Sequence, residues 1–179
     1  GNTTLRSVTM PNTVVEIGNY AFQDCINLSN VNLSSNITYL GIHAFYGCYS
    51  LTEIYIPKTL EQCASNVYGH APFDNSGIVT AEFEYGMTSI PNNVFDGANN
   101  LKNVTIPETV VEIGSSAFSD CSSLEYIKIP DRVITIGNYA FRNCTSLKEV
   151  SLPDSITSIG ISIFSGCTIL EKAKLPNTI

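Results

Sequence analysis

The feature that most limits what this chain can fold into is a spacing. Leucines stand at Leu5, Leu28, Leu51, Leu101, Leu124, Leu147 and Leu170, at intervals of 23, 23, 50, 23, 23 and 23, and Ile78 divides the interval of 50 into 27 and 23. Phe22, Phe45, Phe95, Phe118, Phe141 and Phe164 hold one fixed offset from these openings, and Cys25, Cys48, Cys121, Cys144 and Cys167 hold another. Pro11, Pro57, Pro107, Pro130, Pro153 and Pro176 keep a third register, and Gly18, Gly41, Gly114, Gly137 and Gly160 a fourth. A unit this short cannot bury its own apolar side, so a periodic chain of this kind must stack its units on one another. The expectation is eight units of about 23 residues in one domain over residues 1–179, opening near 5, 28, 51, 78, 101, 124, 147 and 170.

One unit, Leu124 to Ser146, shows how the residues divide. Leu124, Ile127 and Ile129 alternate with Tyr126 and Lys128, the period-two pattern of a half-buried strand. Pro130 ends that strand because it has no N–H for a ladder. Val133 and Ile136 form a second inward pair and predict a short strand on the opposite wall. Gly137 suits a turn with positive φ, and Asn138 is a candidate N-cap for one or two helical turns over residues 139–144. Ala140, Phe141 and Cys144 face inward from that turn.

These residues resemble a known family. The pattern Leu-x-x-Ile-x-Ile-Pro-x-x-Val-x-x-Ile-Gly-x-x-Ala-Phe-x-x-Cys-x-x, carried almost position for position by residues 101–123 and 124–146, is similar to the BspA-like (Treponema-type) leucine-rich repeats. The resemblance implies an α/β repeat solenoid: a right-handed leucine-rich-repeat superhelix, or horseshoe, with a parallel sheet on its concave wall and short turns or helices on its convex wall. It also implies a secreted or cell-surface protein of a host-associated bacterium that works in adhesion rather than catalysis. It supplies no universal binding or catalytic residue. The departures are local: Ser34 and Glu84 replace prolines, Pro91 replaces a glycine, Ala98 replaces a cysteine, and residues 61–77 lose the pattern until Phe73 restores a core phenylalanine. Residues 61–77 are expected to leave the regular wall as a protruding loop.

Composition narrows the function further. Apolar residues make up 44% of the chain, enough to fold, while charged residues make up 14% and the net charge is −7. Without a Lys/Arg cluster an acidic chain is not built for nucleic acid. No apolar run reaches the roughly 20 residues that span a bilayer, so no direct membrane insertion is expected. Gly1 reads as the remnant of a cleaved tag, and the chain starts and stops inside the repeat pattern, so a piece of a longer, extracellular or surface protein is expected.

Several residues invite chemical readings. Cysteines stacked one rung apart, about 4.8 Å, lie within disulfide reach, but their side chains point the same way, which is poor disulfide geometry. They are expected to be reduced, buried and apolar in role. Cys63, His70 and Asp74 fall in the irregular segment and could suggest a nucleophile or a metal. The plainer reading is a loop with a small residue tucked into the solenoid, and neither a catalytic site, a metal nor a cofactor is expected. Asn-x-Ser/Thr triplets at Asn2, Asn27, Asn32, Asn36, Asn103 and Asn143 follow from a Ser/Thr/Asn-rich composition.

The outward strand positions are the candidate binding surface. Glu53, Tyr55, Glu82, Tyr126, Lys128 and Glu149 should share the concave wall, with Tyr55 and Tyr126 as anchors, since tyrosine offers a large rigid face and a hydroxyl. A protein or glycan ligand is the expected partner, bound by a monomeric segment. The alternative is a passive spacer in a larger surface protein.

Overall fold

The computed structural model describes residues 1–66 and 69–176. Its chain winds as a β-solenoid in which each turn, here a rung, places one short strand on a first wall and a two-residue strand on a second. In chain order the rungs carry β1 (Ser7–Thr9) and β2 (Glu16–Ile17); β3 (Asn30–Asn32) and β4 (Tyr39–Leu40); β5 (Glu53–Ile56) and β6 (Gln62–Cys63); β7 (Thr80–Phe83) and β8 (Ser89–Ile90). Then come β9 (Asn103–Thr105) and β10 (Glu112–Ile113); β11 (Thr135–Ile136) alone; β12 (Glu149–Ser151) and β13 (Ser158–Ile159); and β14 (Lys172–Lys174). Every pairing is parallel and joins like positions of neighbouring units, as in Ser7 with Asn30 or Glu112 with Thr135. The second wall contains the order β2-β4-β6 and, separately, β8-β10-β11-β13.

The expected inward positions form the core. Leu28, Leu51, Ile78, Leu101, Leu124 and Leu147 are fully buried. The phenylalanines stack from rung to rung, with centroids 5.2 Å apart for Phe22–Phe45, 5.2 Å for Phe45–Phe73, 5.7 Å for Phe118–Phe141 and 5.9 Å for Phe141–Phe164. Phe73 does restore the stack across the irregular segment. That segment is narrower than 61–77, because Gln62 and Cys63 stay in register with Tyr39 and Leu40. The surplus lies between Ala64 and Ala71, where Val67 and Tyr68 are outside the described residues.

No helix occurs among the described residues, so the α/β assignment and the helical turn over 139–144 are corrected. The reason is where the backbone N–H groups go. In the third side of each rung, the turn wall, they alternate between local and inter-rung acceptors. Tyr139, Phe141 and Asn143 donate to the carbonyls of Ile161, Ile163 and Ser165 in the next rung, while Arg142 and Cys144 donate back to Tyr139 and Phe141. A helix would need all of them to point along one axis. The alternation puts every fourth residue in the left-handed region: Tyr139 at φ 59° and Asn143 at 56°, Ser116 at 51° and Asp120 at 57°. Asn138 accordingly caps no helix. Its Oδ1 accepts the N–H of Ile161 at 3.0 Å, as Asn19 does for Ile42 at 2.8 Å and Asn92 for Ser115 at 2.7 Å.

The glycine register also has a different cause from the one expected. Gly137 does not have positive φ. A Cβ on Gly114 would sit 2.7 Å from the backbone nitrogen of Asn92 and the carbonyl oxygen of Ile90 in the preceding rung, and Gly41, Gly137 and Gly160 meet the same obstruction. These glycines permit close approach of stacked backbones.

The cysteines are free, and all but the half-buried Cys167 are buried. Each of four thiols donates to the carbonyl of a phenylalanine in the preceding rung: Cys48 to Phe22 at 3.1 Å, Cys121 to Phe95 at 3.2 Å, Cys144 to Phe118 at 3.2 Å and Cys167 to Phe141 at 3.1 Å. Burial pushes the Cys48 thiol up to about 12 and raises those of Cys63, Cys121 and Cys144 as well. These thiols are therefore held in the unreactive protonated form. Ser76 takes the place three residues after Phe73 and is fully buried, yet its hydroxyl has no hydrogen-bond partner.

Two outcomes follow for stability. Phe141→Ala is expected to cost about 3–5 kcal/mol, since it opens a cavity in the middle of a continuous stack. An unchanged denaturation midpoint would show that the stack does not carry the core. Ser76→Ala is expected to stabilise by about 1 kcal/mol, because an orphaned buried hydroxyl is removed, and a lower midpoint in urea would contradict it.

Candidate functional site

The six expected surface residues all point outward from the first wall. Tyr55 is 49% exposed and Tyr126 57%, and Glu53, Glu82, Lys128 and Glu149 are exposed. The strand alternation forces this, because Ile54, Ile56, Ala81 and Phe83 between them are buried and a strand cannot turn one set in without turning the other out. The six form two groups. Tyr55 stands directly beside Glu82, and Glu53 beside Thr80, in the β5–β7 register. Tyr126 stands beside Glu149 through a single parallel bridge, and Lys128 is held by Glu108 at 2.6 Å. Between the groups lies β9.

The first wall is not one sheet. Its hydrogen-bonded pieces are β1-β3, β5-β7-β9 and β12-β14. Within β1-β3 and β5-β7-β9, Asn30 N–H donates to Arg6 at 3.2 Å, Thr80 to Thr52 at 3.1 Å and Asn103 to Val79 at 3.0 Å. The equivalent bonds from Glu53 to Ser29 and from Tyr126 to Lys102 are not made. At the first break lies a cleft of about 280 Å³ that includes Asn30, Asn32, Glu53, Tyr55 and Glu82 in its lining. At the second lies one of about 370 Å³ that includes Lys102, Asn103, Glu125, Tyr126 and Lys128. Both anchor tyrosines thus stand at a break.

The two clefts differ in charge. Around the first, desolvation and the carboxylates of Glu84 and Glu82 push the Tyr55 phenol above its usual value. Glu84 is engaged by Lys58 at 3.4 Å, but neither Glu53 nor Glu82 has an ion-pair partner among the described residues. Around the second, Lys128 pairs with Glu108 and Lys148 with Glu125 at 2.6 Å each, and Lys102 also lines the cleft.

The Cys63, His70 and Asp74 set is dispersed. Cys63 lies in the core of the second wall, in register with Leu40. His70 and Asp74 lie on the turn wall, where they secure the irregular segment. His43 Nε2 meets Asp74 Oδ2 at 3.0 Å, and the His43 ring stacks on His70 with centroids 4.4 Å apart. Among the described residues no group of three His, Cys, Asp or Glu side chains could hold a metal ion.

Sequence reasoning missed Asp96. It is 7% exposed and lines a polar turn-wall cavity of about 450 Å³ together with Ser65, Asn66 and Gly69 of the irregular segment. No spacing signalled this, since the segment that covers Asp96 comes from the preceding rung. Burial pushes its carboxyl up to about 7, with Asp120 and Asp74 adding to the rise and a Ser119 hydrogen bond and Arg142 opposing it. A carboxyl raised in the folded state binds its proton there at pH values where the unfolded chain has lost it. Its contribution to stability is therefore complete below about pH 4, falls between about 4 and 7, and is flat above. Asp96→Asn is expected to raise the free energy of unfolding at pH 8 by up to a few kcal/mol, at about 1.4 kcal/mol per pH unit, seen as a higher denaturation midpoint, and to give no gain at pH 4. Equal effects at both pH values would refute the buried carboxyl.

Comparison with known proteins agrees with this architecture. A leucine-rich repeat protein from Bacteroides ovatus is 29% identical, with a TM-score of 0.69 over 98% of this chain and 50% of its own. The Treponema pallidum leucine-rich repeat protein is 27% identical, with a TM-score of 0.61 over 97% of this chain and 71% of its own. A leucine-rich cell surface protein from Faecalibacterium prausnitzii, 22% identical with a TM-score of 0.58 over 95% of this chain and 59% of its own, shares the fold. The chain thus spans about half the length of the Bacteroides protein. No curated protein matches the sequence. The model of the BspA-type leucine-rich repeat region matches residues 1–71 and 67–179, and with the repeat chemistry described above it follows that the chain belongs to the BspA-type leucine-rich-repeat family.

Proposed function

We propose that this chain is a binding segment of a secreted or cell-surface protein, and that its first wall engages a protein or glycan ligand in adhesion. The observation that carries this reading is the placement of Tyr55 and Tyr126 at the two breaks in the first-wall ladder. A broken ladder leaves backbone donors and acceptors open to a ligand, and an exposed aromatic beside them supplies the apolar contact that anchors most interfaces. A spacer has no need of either. The surface location draws support from the cell surface protein that shares the fold. In this reading the wall is the concave side of the coil, the segment acts as a monomer, and no catalytic step is involved.

The test is capture of a partner from host-cell or matrix extracts on the immobilised protein. Tyr55→Ala or Tyr126→Ala is expected to weaken capture by at least about 1 kcal/mol, as truncation of an interface anchor does, with thermal stability nearly unchanged. A partner indifferent to both, but lost on changes between Ala64 and Ala71, would move the site to the turn wall. Retention of no partner at all would favour the spacer.

A further inference from the structure

The cleft between β3 and β5 has a chemistry of its own. Its polar side-chain groups are two carboxylates, Glu53 and Glu82, two amides, Asn30 and Asn32, the hydroxyls of Ser29 and Thr80, and the Tyr55 ring, with no cationic residue in its lining. Neither carboxylate is neutralised by an ion pair among the described residues, and the Ser29 carbonyl receives no N–H from Glu53 across the break. Acceptors are therefore in surplus, beside an aromatic face that is half exposed. The chain as a whole carries a net charge of −7, which adds to the attraction for a positive group.

Size decides what form that group takes. A polypeptide strand inserted into the break would need β3 and β5 about 9.6 Å apart, twice the ordinary spacing of about 4.8 Å. Cα atoms of the two strands lie within 8 Å of each other, so a strand does not fit, whereas the cleft of about 280 Å³ is of side-chain size. A guanidinium has five donors in a plane, matches carboxylates and carbonyls, and stacks on an aromatic ring. An ammonium fills the acceptors less fully and does not stack.

Resting on the reading of the first wall as the binding surface, we propose that the β3–β5 cleft receives an arginine side chain of a partner protein, with Glu53 and Glu82 as its counter-charges and Tyr55 as the face on which it stacks. The partner is then a basic protein rather than a neutral glycan. The second break, where Lys128 and Lys148 are paired with Glu108 and Glu125 and Lys102 adds a further positive charge to the lining, does not share this preference.

The experiment is an amide-resonance titration of the whole chain with N-acetyl-arginine methylamide, in parallel with its lysine counterpart and with maltose. The arginine probe is expected to shift amides on both sides of the cleft, at Asn30–Asn32 and Glu53–Tyr55, with millimolar affinity that falls as salt is added. Glu53→Gln with Glu82→Gln, and separately Tyr55→Leu, should each weaken it about fivefold. Glu16→Gln with Glu112→Gln, which removes the same charge from the second wall, should leave it unchanged. Equal weakening by that control pair would reduce the binding to unspecific charge attraction and overturn the proposal. So would stronger shifts from maltose, which would make the cleft a sugar site, or no arginine response at these amides. Partner capture that depends on Tyr126 but not on Glu53, Glu82 or Tyr55 would overturn this assignment while leaving the first-wall reading intact.

Discussion

The structure depends on one arrangement, the backbone hydrogen bonding between rungs on the turn wall. Alternate N–H groups there reach forward to the next rung, as Phe118 does to Ala140 and Asp120 to Arg142, and the residues between close local turns. That division sets the backbone conformation, with left-handed residues such as Ser116 and Asp120 four positions apart. It also sets the spacing at which everything inside must stack. The phenylalanine column, the thiols that donate to phenylalanine carbonyls and the glycines that admit a neighbouring backbone are consequences of rungs held at this distance. A helical turn in the same place would have spent its N–H groups within the rung and left the carbonyls of the next rung without donors.

The same dependence explains how the irregular segment is tolerated. Residues before and after it keep their places: Cys63 beside Leu40, and Phe73 between Phe45 and Phe95. On the turn wall, His43 holds the described residues that follow the surplus, through Asp74 and the ring of His70. The consequence is felt one rung later, where Asp96 is covered. At the place three residues after Phe73 the column has a serine, and the thiol-to-carbonyl bond made elsewhere has no counterpart.

The first wall obeys a weaker rule. Its strands are three or four residues long, and the ladder is interrupted before β5 and after β9 without any loss of stacking behind it. The core is continuous while the outer hydrogen bonding is not. A surface of this kind combines a rigid support with open donors and acceptors, and its two tyrosines stand at the interruptions. The first interruption is acidic and without ion pairs at Glu53 and Glu82, whereas the second holds two lysine–glutamate pairs and Lys102, so the wall presents two different charge environments on one scaffold.

The sequence by itself determined the repeat, its pitch, the identity of the core columns and the outward direction of Glu53, Tyr55, Glu82, Tyr126, Lys128 and Glu149. Each of these is carried by periodicity, and periodicity is a property of the chain read in order. The tertiary structure alone decided what lies between rungs. Gly137 was legible as a turn glycine but serves to let another backbone approach, and Asn138 was legible as a helix cap but bonds the rung that follows. The burial of Asp96, the grip of His43 on the irregular segment and the two breaks in the first wall left no mark in the spacing. Their cause is the meeting of residues more than twenty positions apart, which depends on how one rung is seated on the next and not on the order of residues within either.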